Sequence, residues 1–291
     1  MLSDKKGGKL LMQNHKENLI RKKEQILQTG VLDDHTIDFY CDLFQFHQDT
    51  VSSITGSGEP PIRVHVQADK SMVRDFGVKK SSMESLQQAL DALVKIIARY
   101  NPGLDAGRCA GILAADNTSV EKIISIILTK DSGALLKLAE TSKTGFEEFA
   151  FIVINWLKPF FISARELLNT PVQNEDNMNL CPFCGSYPDM GFIDPEKEGK
   201  RLLRCSLCEN IWEFKRIACA VCGTEDHDSL EVFTDEDNKR YRIEACHACG
   251  GYLKTVKLNK FEAVDDCDLS IENIISASMD AGAMKKGFKR S

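Results

Sequence analysis

The chain has 291 residues, 43% of them hydrophobic and 27% charged, with a formal net charge of −6. This is length enough for two domains and a sizeable core, and the composition excludes a disordered or low-complexity chain. The acidic balance also argues against a protein that wraps nucleic acid nonspecifically, which carries a basic surplus or a basic face.

The opening MLSDKKGGKLLMQNHKENLIRKKEQ has lysines but no apolar run of signal-peptide length, so the expected location is the cytoplasm. Residues 16–29 and 36–54 are helix-like, and TGSGEPP ends the second stretch. Leu86, Leu90, Leu93, Val94 and Ile97 follow the spacing of one helix face, with Ser81 and Glu84 as a capping box and NPG as the stop after Tyr100. Thr118 with Glu121, and Thr144 with Glu147, repeat the capping pattern before two further apolar helices. The most apolar stretch, FEEFAFIVINWLKPFFISA, is interrupted by Asn155, Lys158 and Pro159. It falls short of the roughly 20 apolar residues of a membrane span and reads as a core helix kinked at the proline.

TPVQNEDNMNL is polar and suits a linker. After it, short β-prone runs such as RLLRC, IWEFKRI, LEVFT and YRIEAC alternate with turns, and a last helical stretch over 265–279 precedes a frayed-looking tail. The expected fold is α+β. A helical domain (1–170) and a linker (171–180) lead into two tandem rubredoxin-like or zinc-ribbon modules (181–215 and 216–260), then a C-terminal helix and tail (261–291).

Eight of the eleven cysteines form four C-x-x-C pairs. In a reducing compartment an odd total disfavours a disulfide framework. A thioredoxin-like redox motif would be one isolated pair at a helix N-terminus, which leaves metal as the reading. Each C-x-x-C knuckle presents two sulfurs, and two knuckles joined by a hairpin complete a tetrahedron. Sequential pairing closes the shorter loops, so Cys181, Cys184, Cys205 and Cys208 are expected on one ion and Cys219, Cys222, Cys246 and Cys249 on another. Each ion would be iron or zinc, which share this ligand set. A closed four-sulfur set leaves no open position for catalysis, and no catalytic constellation is evident. Metal binding would supply most of the modules' folding energy, whereas the helical domain is expected to fold alone. Gly185, Gly223 and Gly250 follow knuckles, where the turn favours glycine. Cys41, Cys109 and Cys267 read as buried apolar residues, and His247 is only a substitute ligand for the last knuckle.

Trp212, Phe214 and Arg216 alternate along one stretch, and Tyr252 and Lys254 along another. The aromatics suit either a small core or a partner surface, and Trp, Tyr and Arg are enriched in binding hot spots. Two other functions fit four-cysteine modules: a nucleic-acid-binding zinc ribbon and a rubredoxin-type electron carrier. The first is weakened by 12 Lys and Arg against 14 Asp and Glu over residues 181–260.

CPFCGSYP, LRCSLCENIWEFKRIACAVCG and EACHACGGYLK resemble the three signature blocks of the formate dehydrogenase accessory protein family, FdhE, in the same order. The resemblance covers residues 180–257 and includes Trp212, Arg216, Glu244, Tyr252 and Lys254 beside the eight cysteines. It implies a cytoplasmic maturation factor, not an enzyme, that binds the molybdenum or tungsten catalytic subunit of formate dehydrogenase before export. Its C-x-x-C pairs would be metal ligands; the charge balance and the interrupted apolar stretch add the expectation of no nucleic-acid partner and no membrane insertion. Trp212, Arg216, Tyr252 and Lys254 are then expected on or beside the client surface.

Overall fold

The computed structural model of the chain describes residues 14–28, 30, 32–59, 62–65, 75–79, 82–115, 120–168, 178–195, 199–234, 239–259, 262 and 267–290. The expected caps Ser81 and Thr118 and most of the polar linker lie outside the described residues.

The first half contains α1 (His15–Gln28), α2 (Asp34–Gly56), α3 (Met83–Tyr100), α4 (Ala106–Leu113), α5 (Val120–Thr129), α6 (Ser132–Ser142) and α7 (Phe146–Leu168). A two-stranded hairpin, β1 (Ile62–His65) and β2 (Asp75–Val78), interrupts it between α2 and α3. Asp33 caps α2 by accepting the Thr36 N–H at 2.8 Å. Leu86, Leu90, Leu93 and Ile97 are buried along α3 as their spacing predicts. Thr144 turns its hydroxyl to Cys109 Sγ and the Ser142 carbonyl instead of capping α7.

The apolar stretch forms one 23-residue helix that continues through Pro159. Proline has no N–H for the carbonyl four residues back, that of Asn155. His47 of α2 supplies the missing donor, its Nε2 lying 3.1 Å from Asn155 O. Burial, with Lys158 nearby, pulls the His47 pKa down to about 3, so the ring stays neutral. The proline thus becomes a packing point between α2 and α7, and Trp156 Nε1 adds a bond to Leu86 O of α3 at 2.8 Å.

The second half contains β3 (Pro188–Asp194), β4 (Lys200–Cys205), β5 (Ile211–Phe214), β6 (Leu230–Thr234), β7 (Tyr241–Cys246), β8 (Gly251–Lys257), α8 (Leu269–Ile275), α9 (Ala277–Lys285) and β9 (Lys289–Arg290). The strands make one seven-stranded sheet of order β5-β4-β3-β8-β7-β6, with β9 added on β8. Each module is an antiparallel three-stranded unit, and the parallel pair β3–β8 fuses the two. At that seam a Cβ on Gly191 would come within 2.7 Å of Thr255 Oγ1, so the close approach needs glycine. The tail is docked: Phe288 is buried and β9 pairs with Gly251 and Tyr252.

The cores cross the expected division at residues 171–180. One continuous apolar cluster contains Leu90, Trp156 and Phe160 from the helices together with Phe183, Leu203, Leu207 and Trp212 from the first module. A second cluster joins Leu19 and Ile26 of α1 to Met190, Phe192 and Val256 of the sheet and to Ile271 of α8. This shared burial packs the two expected domains against each other.

Replacing His47 by Phe should leave the Asn155 carbonyl without a donor and cost about 1–3 kcal/mol in urea denaturation at neutral pH. A group held at a pKa of about 3 when folded and near 6.5 when unfolded makes the wild type lose stability as pH falls below 6.5. The gap between wild type and H47F should therefore narrow between pH 6.5 and about 3.

Candidate metal centres

In the first cluster the Sγ atoms of Cys181 and Cys208 are 3.6 Å apart and those of Cys184 and Cys205 are 3.3 Å apart. In the second, Cys219 and Cys249 are 3.8 Å apart, as are Cys222 and Cys246. All four sulfurs of each set lie within 4.8 Å of one another. A tetrahedron with metal–sulfur bonds of about 2.3 Å has an edge of about 3.8 Å, so both sets fit one ion each. The structure brings the cysteines together in the sequential grouping, first pair with second and third with fourth.

Each knuckle is closed by backbone. Gly185 N–H donates to Cys181 O at 2.8 Å, Gly223 to Cys219 O at 2.9 Å and Gly250 to Cys246 O at 2.8 Å, all three glycines at φ between 70° and 79°. The sulfurs accept N–H groups as well: Leu207 and Cys208 donate to Cys205 Sγ, Val221 and Cys222 to Cys219 Sγ, and Gly251 to Cys249 Sγ. Burial and the surrounding sulfurs push the Cys184 and Cys208 thiols well up. Four crowded sulfurs ionise together only around a cation, which is the chemistry this donor set offers.

At the remaining knuckle the glycine position is held by Glu209, with φ 57°. A residue with a Cβ is disfavoured there by about 1–2 kcal/mol. Its carboxylate accounts for the choice. Glu209 Oε1 pairs with Lys158 of α7 at 2.8 Å and Oε2 with His15 of α1 at 3.4 Å, while Arg165 donates to the Glu209 carbonyl at 2.7 Å. His15 Nδ1 also pairs with Asp268 at 2.8 Å, and Asp268 caps α8 through the Ser270 and Ile271 N–H groups. Burial works against a charged His15, but Glu209 and Asp268 outweigh it and raise its pKa to about 9. Glu209 is held well below the usual carboxylate range against its own burial, by Lys158 and His15.

A second ionic seam joins the modules. Arg201 of β4 pairs with Glu244 of β7, which also takes Arg242, and Arg201 Nη1 donates to the carbonyls of Lys215 at 3.0 Å and Ala218 at 2.8 Å. Sequence reasoning noted Glu244 only within a motif and missed Arg201 and Glu209. The acidic residue in a glycine slot was the available signal for Glu209.

Three of the four expected partner residues are interior. Trp212 is buried, with Nε1 donating to Met178 O at 3.2 Å. Tyr252 and Lys254 lie on β8, which is covered on both faces, and both bind Asp280 of α9, at 2.8 and 2.7 Å. Burial, with Arg290 nearby, lowers the Lys254 pKa to about 8, and three acceptors hold its ammonium: Asp280, Asn273 O and Ser276 O. These side chains lock the C-terminal helices onto the sheet and offer no surface to a partner. Arg216, beyond the end of β5, is exposed.

Cys109 and Cys267 are buried and Cys41 is partly so. His247 turns to Glu231 at 3.1 Å and stands edge-on to Phe288, outside the sulfur cluster. A third group, Glu262, Cys267 and Glu272, already holds cations of the chain: Arg240 bridges both carboxylates and Lys22 pairs with Glu272.

A helical layer packed on a sheet with two four-cysteine sites defines a metal-binding protein of twin-ribbon build. Residues 180–216 match the family model for the FdhE central domain. The chain is 36% identical over 141 residues to the FdhE homolog of Aquifex aeolicus, covering 47% of this chain and 48% of that protein. It is 26% identical over 250 residues to the FdhE protein of Escherichia coli O127:H6, covering 83% and 70%. The crystal structure of the FdhE protein from Pseudomonas aeruginosa shares the fold, with a TM-score of 0.55 at 18% identity over 98% of this chain and 95% of that one. By these comparisons the chain is similar to FdhE proteins in sequence and in fold, and it spans about half the length of the Aquifex relative.

Replacing Glu209 by Ala strands Lys158 in the interior and leaves His15 with Asp268 alone, and should cost about 3–5 kcal/mol of unfolding free energy. The charge on His15 gives a pH signature. Its pKa is raised on folding, so its contribution is complete below about pH 6.5 and lost as pH rises through about 9. The stability difference between wild type and His15→Gln should shrink over that interval.

Proposed function

We propose that this protein is a cytoplasmic maturation factor that binds the catalytic subunit of a formate dehydrogenase and supports its activity without catalysing a reaction. The two clusters, Cys181, Cys184, Cys205 and Cys208 and then Cys219, Cys222, Cys246 and Cys249, would each hold one iron or zinc ion that keeps its oxidation state. The observation that carries the reading is the pair of complete tetracysteine sites in a chain whose residues 180–216 match the FdhE central-domain model. Four protein ligands leave an ion no open position for substrate, which favours a structural role.

Among the described residues no helix is long and apolar enough to cross a membrane. Client contact falls to the surface near Arg216. A cleft of about 300 Å³ there is lined by Arg216, Ile217, Val232 and Arg242, and Ile217 and Val232 are 53% and 57% exposed.

Affinity purification of the tagged chain from its own cells should recover a formate dehydrogenase catalytic subunit, and deletion of the chain should abolish that enzyme's activity. Recovery of nucleic acid, or normal formate dehydrogenase activity in the deletion strain, would contradict the reading. Arg216→Ala should leave the metal content unchanged and weaken client binding by about 1–3 kcal/mol, a common hot-spot loss. A zinc form that binds the client but fails to support activity would point to electron transfer.

A further inference from the structure

The two cysteine clusters have the same donors and nearly the same spacing, yet the fold treats them differently. Cys181, Cys184, Cys205 and Cys208 are all buried in the cluster shared with Leu207, Phe183 and Trp212, beneath the helical half. In the second set Cys219 and Cys246 are buried, whereas Cys222 and Cys249 are exposed.

The exposed pair comes from opposite knuckles, and so does the buried pair. Cys222 and Cys249 would be the ligands open to replacement, and Cys219 and Cys246, the latter held at the end of the β6–β7 pairing, the ones retained. Ligand exchange at a thiolate-bound ion needs an incoming ligand to reach the metal and the departing sulfur to reach a proton donor. Both conditions are met at the Cys222–Cys249 edge. At the first cluster they require opening of the shared core, which is rare.

We propose that the second cluster is a metal-exchange site: its ion enters and leaves through the Cys222–Cys249 edge by thiolate substitution, while the first cluster keeps its ion as part of the core. In each step an incoming thiolate forms one metal–sulfur bond and the bond to Cys222 or Cys249 breaks. The freed sulfur takes a proton from water, and no electron changes hands. The natural exchange partner is a thiolate-bearing molecule or protein segment able to reach that edge. The inference rests on the reading of both clusters as metal sites.

The test uses the full chain loaded with zinc and its metal content measured by mass spectrometry. On addition of excess 4-(2-pyridylazo)resorcinol, one equivalent should leave in a first phase and the second at least about tenfold more slowly, since it waits on core opening. A small thiol should accelerate only the first phase. N-ethylmaleimide added after that phase, followed by peptide mapping, should label cysteines among Cys219, Cys222, Cys246 and Cys249 and leave Cys181, Cys184, Cys205 and Cys208 unlabelled. Release of both equivalents in one phase, or early labelling of the first cluster, would overturn the assignment. A chain that binds no zinc or iron would instead overturn the metal reading on which it stands.

Discussion

The carboxylate of Glu209 sits one residue after a metal knuckle and inside the helical half, and the architecture depends on that placement. Buried among Lys158, His15 and the backbone contact from Arg165, it is satisfied only while the knuckle that carries it is correctly folded. A buried carboxylate deprived of its partners is strongly destabilising, so the position of Cys208 and the docking of α1 and α7 are set together. The left-handed backbone at Glu209 is a small local cost, accepted because glycine would have no charge to place there.

The same logic recurs at the other seams. Arg201 in the first module neutralises Glu244 in the second while holding the connector carbonyls of Lys215 and Ala218, so the two hairpins make one sheet and not two beads on a string. Tyr252 and Lys254 fasten α9 through Asp280, and Arg204 of β4 reaches both Asp189 and Ser270 of α8. Charged groups that a small metal module would leave in water, such as Arg201, Arg204 and Lys254, are enclosed here with ionic partners. The outcome is a sheet buried on its helical side with one cysteine cluster beneath that cover and the other at its edge.

Much of this was legible from sequence where a short-range rule applies. The knuckle spacing specified both ligand sets, and the spacing from Leu86 to Ile97 specified the buried face of α3. Reasoning from local pattern failed where the determining partner is distant in the chain. Pro159 reads as a kink until His47, more than a hundred residues earlier, supplies the bond it cannot make. Trp212, Tyr252 and Lys254 have hot-spot chemistry, and alternation along a strand does not reveal that β8 is buried on both faces, with α9 fastened to Tyr252 and Lys254. The β1–β2 hairpin and the pairing of the tail with β8 likewise depend on tertiary context.

The central claim is that the first metal centre and the helical half form one cooperative unit. Amide hydrogen exchange of the full chain, compared with and without its metals, tests this most directly. The account predicts that removing the metals raises exchange in α7 around Leu157 to Ala164 and in α1 along with β4 and β5. Full protection of α7 and α1 while the cysteine-bearing strands exchange freely would contradict it.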